Sequence, residues 1–166
     1  MNYKIINYLI VISATFLLFS CNQGSLVSYE NSYYKLTLNK QNGAIQSIEK
    51  NDKSMIAADN GEHALFEICF RDKVNGGEVI RANSDQAARC EISQEENKIT
   101  IAYSQFEGMD ISAIVTVDVA EDSPFMKWNI EVDNNTPYLM DYIDFPNVVV
   151  PNDLVATGGD SRIFWP

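Results

Sequence analysis

The chain has 166 residues, is 46% hydrophobic and 11% aromatic, and carries a formal net charge of −11. So acidic a balance excludes phosphate-backbone recognition, which needs clustered Lys and Arg, and no nucleic-acid partner is expected. It also excludes electrostatic docking on anionic lipid, so any hold on a membrane has to come from an apolar segment or an acyl chain.

The first element is that apolar segment. Lys4 gives a short positive start, and Ile5 to Phe19 form an apolar run broken only by Asn7, Ser13 and Thr15. Residues 1–20 read as a secretory signal helix, removed before folding. They carry Lys4 and no acid, so the chain after them is one unit more negative than the whole. The run ends in Leu18-Phe19-Ser20-Cys21. This resembles the lipobox of bacterial lipoproteins, where cleavage precedes the cysteine and its thiol is diacylated. The resemblance implies lipidation at Cys21, membrane attachment through that lipid, and a place in the bacterial cell envelope, at the outer membrane. Asn22-Gln23-Gly24-Ser25 lacks an acidic cluster, and either face of that membrane stays open. The competing reading is a single transmembrane anchor, for which the run is slightly short, a span needing about 20 apolar residues.

Residues 21–28 are polar enough to read as a tether, and the domain is expected over 29–166. From Tyr29 onward apolar residues recur with period two, the signature of strands with one buried face. Tyr34 to Leu38 alternates, Asn39 to Gly43 is turn chemistry, and Ala44 to Ile48 returns as a hairpin. Residues 51–61 read as a loop, and Ala64 to Phe70 as a more continuous apolar strand. A weak strand is expected around Val79. Ala88 to Ser93 and Ile99 to Ser104 make a second hairpin. Ile111 to Ala120 places Ile111, Ala113, Val115, Val117 and Val119 on one side. Phe125 to Val132 follows, with Met126, Trp128, Ile130 and Val132 on a common face, which is core packing before it is a sugar platform. Tyr142 to Val150 reads as a strand marked by Pro146, and Ser161 to Trp165 starts another. No convincing helix follows the signal. About ten short strands with regular turns give an all-β, antiparallel β-sandwich. An aromatic run stopping at Trp165-Pro166 is expected to continue in the intact protein.

Chemistry is sparse. No Gly-x-Ser-x-Gly, Walker loop, dinucleotide fingerprint or His-Glu-x-x-His is present. His63 is the single histidine, too few for a zinc site by itself. Asp141 and Asp144 form the most suggestive acidic pair, but with 23 acids close pairs arise by chance. Asp133-Asn134-Asn135 and Asn152-Asp153 offer oxygens for calcium, and self-capping Asx turns explain them more simply. No cofactor, metal or catalytic residue is assigned. Cys69 and Cys90 lie in strand-like stretches, either bridged or packed as buried thiols. Tyr33 and Tyr34 at the domain entry and Trp165 at its exit are candidate rings for stacking on a glycan.

Two passages carry a wider resemblance. Tyr34 to Ile48, with its Lys40-x-x-Gly43-x-Ile45 turn, looks like the opening hairpin of N-terminal domains in bacterial glycoside hydrolase-like proteins. Ser123-Pro124, Trp128-x-Ile130-x-Val132-x-Asn134 and Phe145-Pro146 are similar to a passage of galactose-mutarotase-like supersandwich domains. Such domains precede the catalytic barrel in α-galactosidase-like and endo-α-N-acetylgalactosaminidase-like enzymes. The resemblance implies a non-catalytic accessory sandwich of a lipid-anchored carbohydrate-acting protein, beside a C-terminal catalytic barrel not contained in these residues. A barrel takes about 250 residues, so no catalytic residue carries over. Mutarotases use histidines with a glutamate, and one histidine cannot supply that set. The alternative is a free-standing lipoprotein that binds a glycan or a protein without chemistry.

Overall fold

A computed structural model describes residues 25–73 and 77–151. The signal segment, Cys21 and Trp165 lie outside the described residues. Eleven strands occur among the described residues: β1 Leu26–Glu30, β2 Lys35–Asn39, β3 Ile45–Lys50, β4 Lys53–Ser54, β5 Glu67–Arg71, β6 Val79–Asn83, β7 Ala87–Glu95, β8 Lys98–Phe106, β9 Ile111–Val119, β10 Met126–Asn134 and β11 Leu139–Asp144. The only helical elements among the described residues are single 3-10 turns at Asn60–Glu62 and Ser84–Gln86. Every pairing is antiparallel. The strands form three sheets in the orders β1-β2-β3-β4, β10-β9-β8-β7 and β11-β5-β6, packed as a sandwich.

The long sheet is built on strict alternation. In β9, Ile111, Ala113, Val115, Val117 and Val119 are buried, while Ile114 and Asp118 are exposed. Ile99, Ile101 and Tyr103 of β8 share the inner face because the register pairs them with Val117, Val115 and Ala113. The outer face answers with a cross-strand charge row, Glu95, Lys98, Asp118 and Lys127, in which each neighbour has the opposite sign. Such pairs favour this register over a slipped one.

Both smaller sheets contribute to the same core. Leu36, Leu38 and Ile45 come from the first, and Ile68, Phe70 and Ala82 from the third. Tyr29 donates its hydroxyl to the Val119 carbonyl at 2.8 Å, and Asn31 donates to the carbonyls of Ala120 and Ser123, joining the first sheet to the end of β9 in the long sheet. Phe66 meets Tyr103 edge-on at 5.0 Å.

Three expectations are corrected. Leu26 to Ser28, read as tether, begin β1, because Val27, Ser28 and Tyr29 find ladder partners in Leu38, Thr37 and Leu36. The last described strand is β11, earlier than the expected 142–150. Beyond Asp144 the chain leaves the ladder at a cis Phe145–Pro146 peptide, and proline has no N–H to give the sheet. Tyr34, a candidate ring for stacking on a glycan, is only 6% exposed. Its neighbour Tyr33 faces outward, so only one of the two adjacent rings meets solvent.

Gly43 lets the first sheet approach the second. It has φ +70°, and a Cβ there would overlap the Tyr103 hydroxyl, which donates to the Asn42 carbonyl at 3.1 Å. Gly108 has φ +72°, with nothing within 4 Å of where a Cβ would stand. Gly43→Ala should therefore cost about 3 kcal/mol from left-handed strain plus displacement of a buried ring, and Gly108→Ala only about 1 kcal/mol from strain. Urea unfolding of the two variants checks this; equal losses would show that the approach to Tyr103 is not tight.

Candidate functional site

The three-stranded sheet ends where β5 begins, β6 stops and β11 stops. A cleft of about 820 Å³ opens there, with His63, Glu67, Asn83, Asp144, Phe145 and Asn147 among its lining. The register places Asp144, Glu67 and Asn83 directly opposite one another in a single row. Side chains opposed in this way stand about 4.5–5.5 Å apart at Cβ, so two carboxylates and an amide share one rim.

The charges on this rim are unevenly offset. Arg81, two residues before Asn83, forms an ion pair with Glu67. Its guanidinium pKa is raised, first by the bond to Glu67 and then by one to Tyr142. Asp141 is paired separately with Arg71 at 2.7 Å. The Asp144 side chain makes neither an ion pair nor a hydrogen bond among the described residues. Cys69 lies between Arg81 and Tyr142 in the register and is 1% exposed.

Buried polar side chains fix the wall of the cleft. Asn147 donates its backbone N–H to the Leu65 carbonyl at 2.9 Å and its amide to the Ala64 carbonyl at 3.0 Å. Val149 donates to Asn60 Oδ1 at 2.6 Å, and Ala57 donates to the Val149 carbonyl at 2.7 Å. Asn60 is fully buried and passes the tie on, donating to the Ile45 carbonyl at 2.7 Å. Ser84, also fully buried, accepts from the Leu65 N–H at 2.8 Å. Asn83 caps the 3-10 turn at Ser84–Gln86 in a capping box. Phe145 packs edge-on against Trp128 at 6.2 Å, which couples the wall to the long sheet.

Of the residues singled out from sequence, His63 and Asp144 meet in this cleft. Asp141 does not join them, because its carboxylate is engaged by Arg71 and a register shift falls between Met140 and Tyr142. Tyr33 borders a separate, smaller hollow of about 270 Å³ with Asn31, Glu49 and Asp52. Tyr34 also borders it, but its ring is tilted onto Tyr29 at 6.2 Å, leaving no open face for stacking. Its hydroxyl is buried without a hydrogen-bond partner, since the nearby Asn31 amide is committed to two carbonyls. Desolvation, then Tyr29, pushes its pKa up, and the proximity of Asn31 offsets only part of the rise. Asn134 accepts from the Thr136 N–H and hydroxyl and donates to the Tyr138 carbonyl, the self-capping turn expected in place of a calcium loop. No group of three or more His, Cys, Asp or Glu among the described residues could hold a metal ion. Among the described residues no helix is long and apolar enough to cross a membrane.

Cys69 and Cys90 are both free thiols. Cys90 faces Tyr103 across the β7–β8 ladder. Burial pushes its pKa to about 11, and burial followed by the proximity of Cys90 pushes that of Tyr103 up as well.

Glu67, Asn83, Asn60 and Asn147 do not stand out in the sequence. Compared with known proteins, the chain matches no family model, no curated protein and no solved structure.

Two predictions test this architecture. Asn60→Ala leaves the buried Ile45 carbonyl and the part-buried Val149 N–H without this partner, and should lower stability by about 1–3 kcal/mol in urea unfolding, whereas a loss under about 1 kcal/mol would show that the tie is slack. The thiol–phenol pair sets an alkaline limit. The folded state keeps both protons longer than the unfolded chain does, so the thiol's contribution is intact below its ordinary value of 9.0 and is lost as pH rises towards about 11, and the phenol's follows at higher pH. The urea midpoint should fall between pH 9.0 and about 11, and Cys90→Ala should flatten part of that fall.

Proposed function

We propose that this chain is the accessory, non-catalytic β-sandwich of a glycoside hydrolase-like protein, lipid-anchored at Cys21 in the outer membrane of a bacterial envelope. The observation that carries the reading is a fold covered unevenly. On β9 the inner face is fully buried, yet Met126, Trp128, Ile130 and Val132 beside it on β10 remain partly exposed. Leu139 and Met140 on β11 are 48% and 44% exposed. Apolar side chains left uncovered in this way suit packing against another folded unit. The resemblance to galactose-mutarotase-like domains names that unit as the catalytic barrel of the same protein. The non-catalytic assignment is supported by the carboxylates. Glu67 and Asp141 are tied to arginines on an exposed face, unlike the water-poor setting of a glycosidase acid.

Two measurements test the reading. The reading frame downstream of codon 166 should encode strand–helix alternation, and a stop codon there would favour the free-standing binding lipoprotein. A radiolabelled fatty acid fed to expressing cells should enter the protein and be absent from Cys21→Ser; equal labelling of both would remove the anchor from the proposal.

A further inference from the structure

We propose that the cleft at the end of the three-stranded sheet is a binding site for a neutral glycan, with Asp144 and Glu67 accepting from sugar hydroxyls and Phe145, Pro146 and Val148 facing an apolar sugar surface. The ligand class rests on the carbohydrate-directed reading above, while the location rests on the cleft alone. Like charges directly opposite in a sheet destabilise it. Here Asp144 stands opposite Glu67, and the arginine on the neighbouring strand, Arg81, is taken by Glu67. Packing gives no reason for the second carboxylate, whereas a ligand offering hydroxyl donors does.

The wall agrees with a site. Four hydrogen bonds through Asn147, Val149 and Ala57 hold residues 145–149 against the sheet, anchored on the buried Asn60. Such ties let a cleft meet its ligand without an ordering cost. Its volume lies within the range of ligand pockets, about 300–1,000 Å³. The mixture also fits. Carboxylates, the amide of Asn83 and the imidazole of His63 provide acceptors and donors for vicinal hydroxyls, and the exposed Val148 and Val149 with Phe145 provide an apolar side for C–H groups. Uncompensated charge at Asp144 disfavours uronic or sulfated sugars.

The test is titration calorimetry on the full chain in detergent micelles, using tetrasaccharides of glucose, galactose, mannose and xylose, with galacturonate tetrasaccharide as the anionic counterpart. At least one neutral tetrasaccharide should bind and the galacturonate should not. Asp144→Ala should weaken binding at least tenfold and leave the melting temperature unchanged or higher, since it removes a repulsion. Tyr33→Ala, in the other hollow, should leave affinity unaltered. Binding that survives both Asp144→Ala and Glu67→Gln, or that disappears in Tyr33→Ala, would overturn the site and leave the carbohydrate reading standing. No binding of any neutral tetrasaccharide would overturn the proposal as a whole, and the accessory-domain reading would still be judged by its own reading frame.

Discussion

The register of β8 on β9 is the constraint from which the rest of the molecule follows. Five alternate residues of β9 and three of β8 form one apolar surface, fully enclosed. A slip by one residue would turn Ser112, Thr116 and Asp118 into the core and Val115 and Val117 into water. At about 25 cal/mol for each Å² of apolar area, misplacing even two valines costs a few kcal/mol, a large share of a typical domain's net stability. This inner surface sets where everything else can rest. Tyr103, at its end, dictates that residue 43 have no side chain, and the Val119 carbonyl receives the Tyr29 hydroxyl that pulls β1 into place.

Cover over that surface is not uniform. The middle strands are enclosed while β7 and β10 stand partly clear of the facing sheets. The segment after β11 crosses from the three-stranded sheet to Trp128, but it does so as irregular backbone. Irregular backbone at a protein edge needs partners for its N–H and C=O groups. Asn60, Asn147 and Ser84 provide them, which is why three polar residues lie in or against an otherwise apolar interior. The cleft is the space left outside this tied segment, so its shape is a by-product of satisfying backbone polar groups, and it is as rigid as those ties.

The strands whose alternation is regular are legible in the amino-acid sequence: β2, β3, β8, β9 and β10 all follow from period two, and the turn at Gly43 from its chemistry. Boundaries are lost where pattern and pairing part company. Tyr142 to Val150 is apolar enough to read as one strand, yet Pro146 and the capture of Asn147 by Ala64 and Leu65 end the ladder at Asp144. Leu26 to Ser28 carries too short a pattern to announce β1, and its partners lie further along the chain, in β2. The site is half visible. His63 and Asp144 stand out by type, but Glu67 and Asn83 join them only through the registers of β11 on β5 and β5 on β6, which no local signal encodes. Tyr33 and Tyr34 look equivalent in sequence and differ only in the side of the chain on which the core lies.

Charge placement carries the last step. The chain is strongly acidic, and each of the three described ion pairs uses an arginine. Two of those arginines, Arg71 and Arg81, stand on the outer face of the small sheet and offset Asp141 and Glu67. Exposed pairs of this kind contribute little to stability, because water already solvates both charges and salt screens them. Their effect on recognition is larger, because they cancel charge along the face and leave Asp144 as the unbalanced acid at its end. A ligand sliding along this face meets a nearly neutral surface until it reaches the cleft, where the acceptors of Asp144 and Glu67 are concentrated. Hydroxyl-rich, uncharged molecules can satisfy those acceptors without importing a counter-ion, and that asymmetry, more than the depth of the cleft, is what would select among ligands.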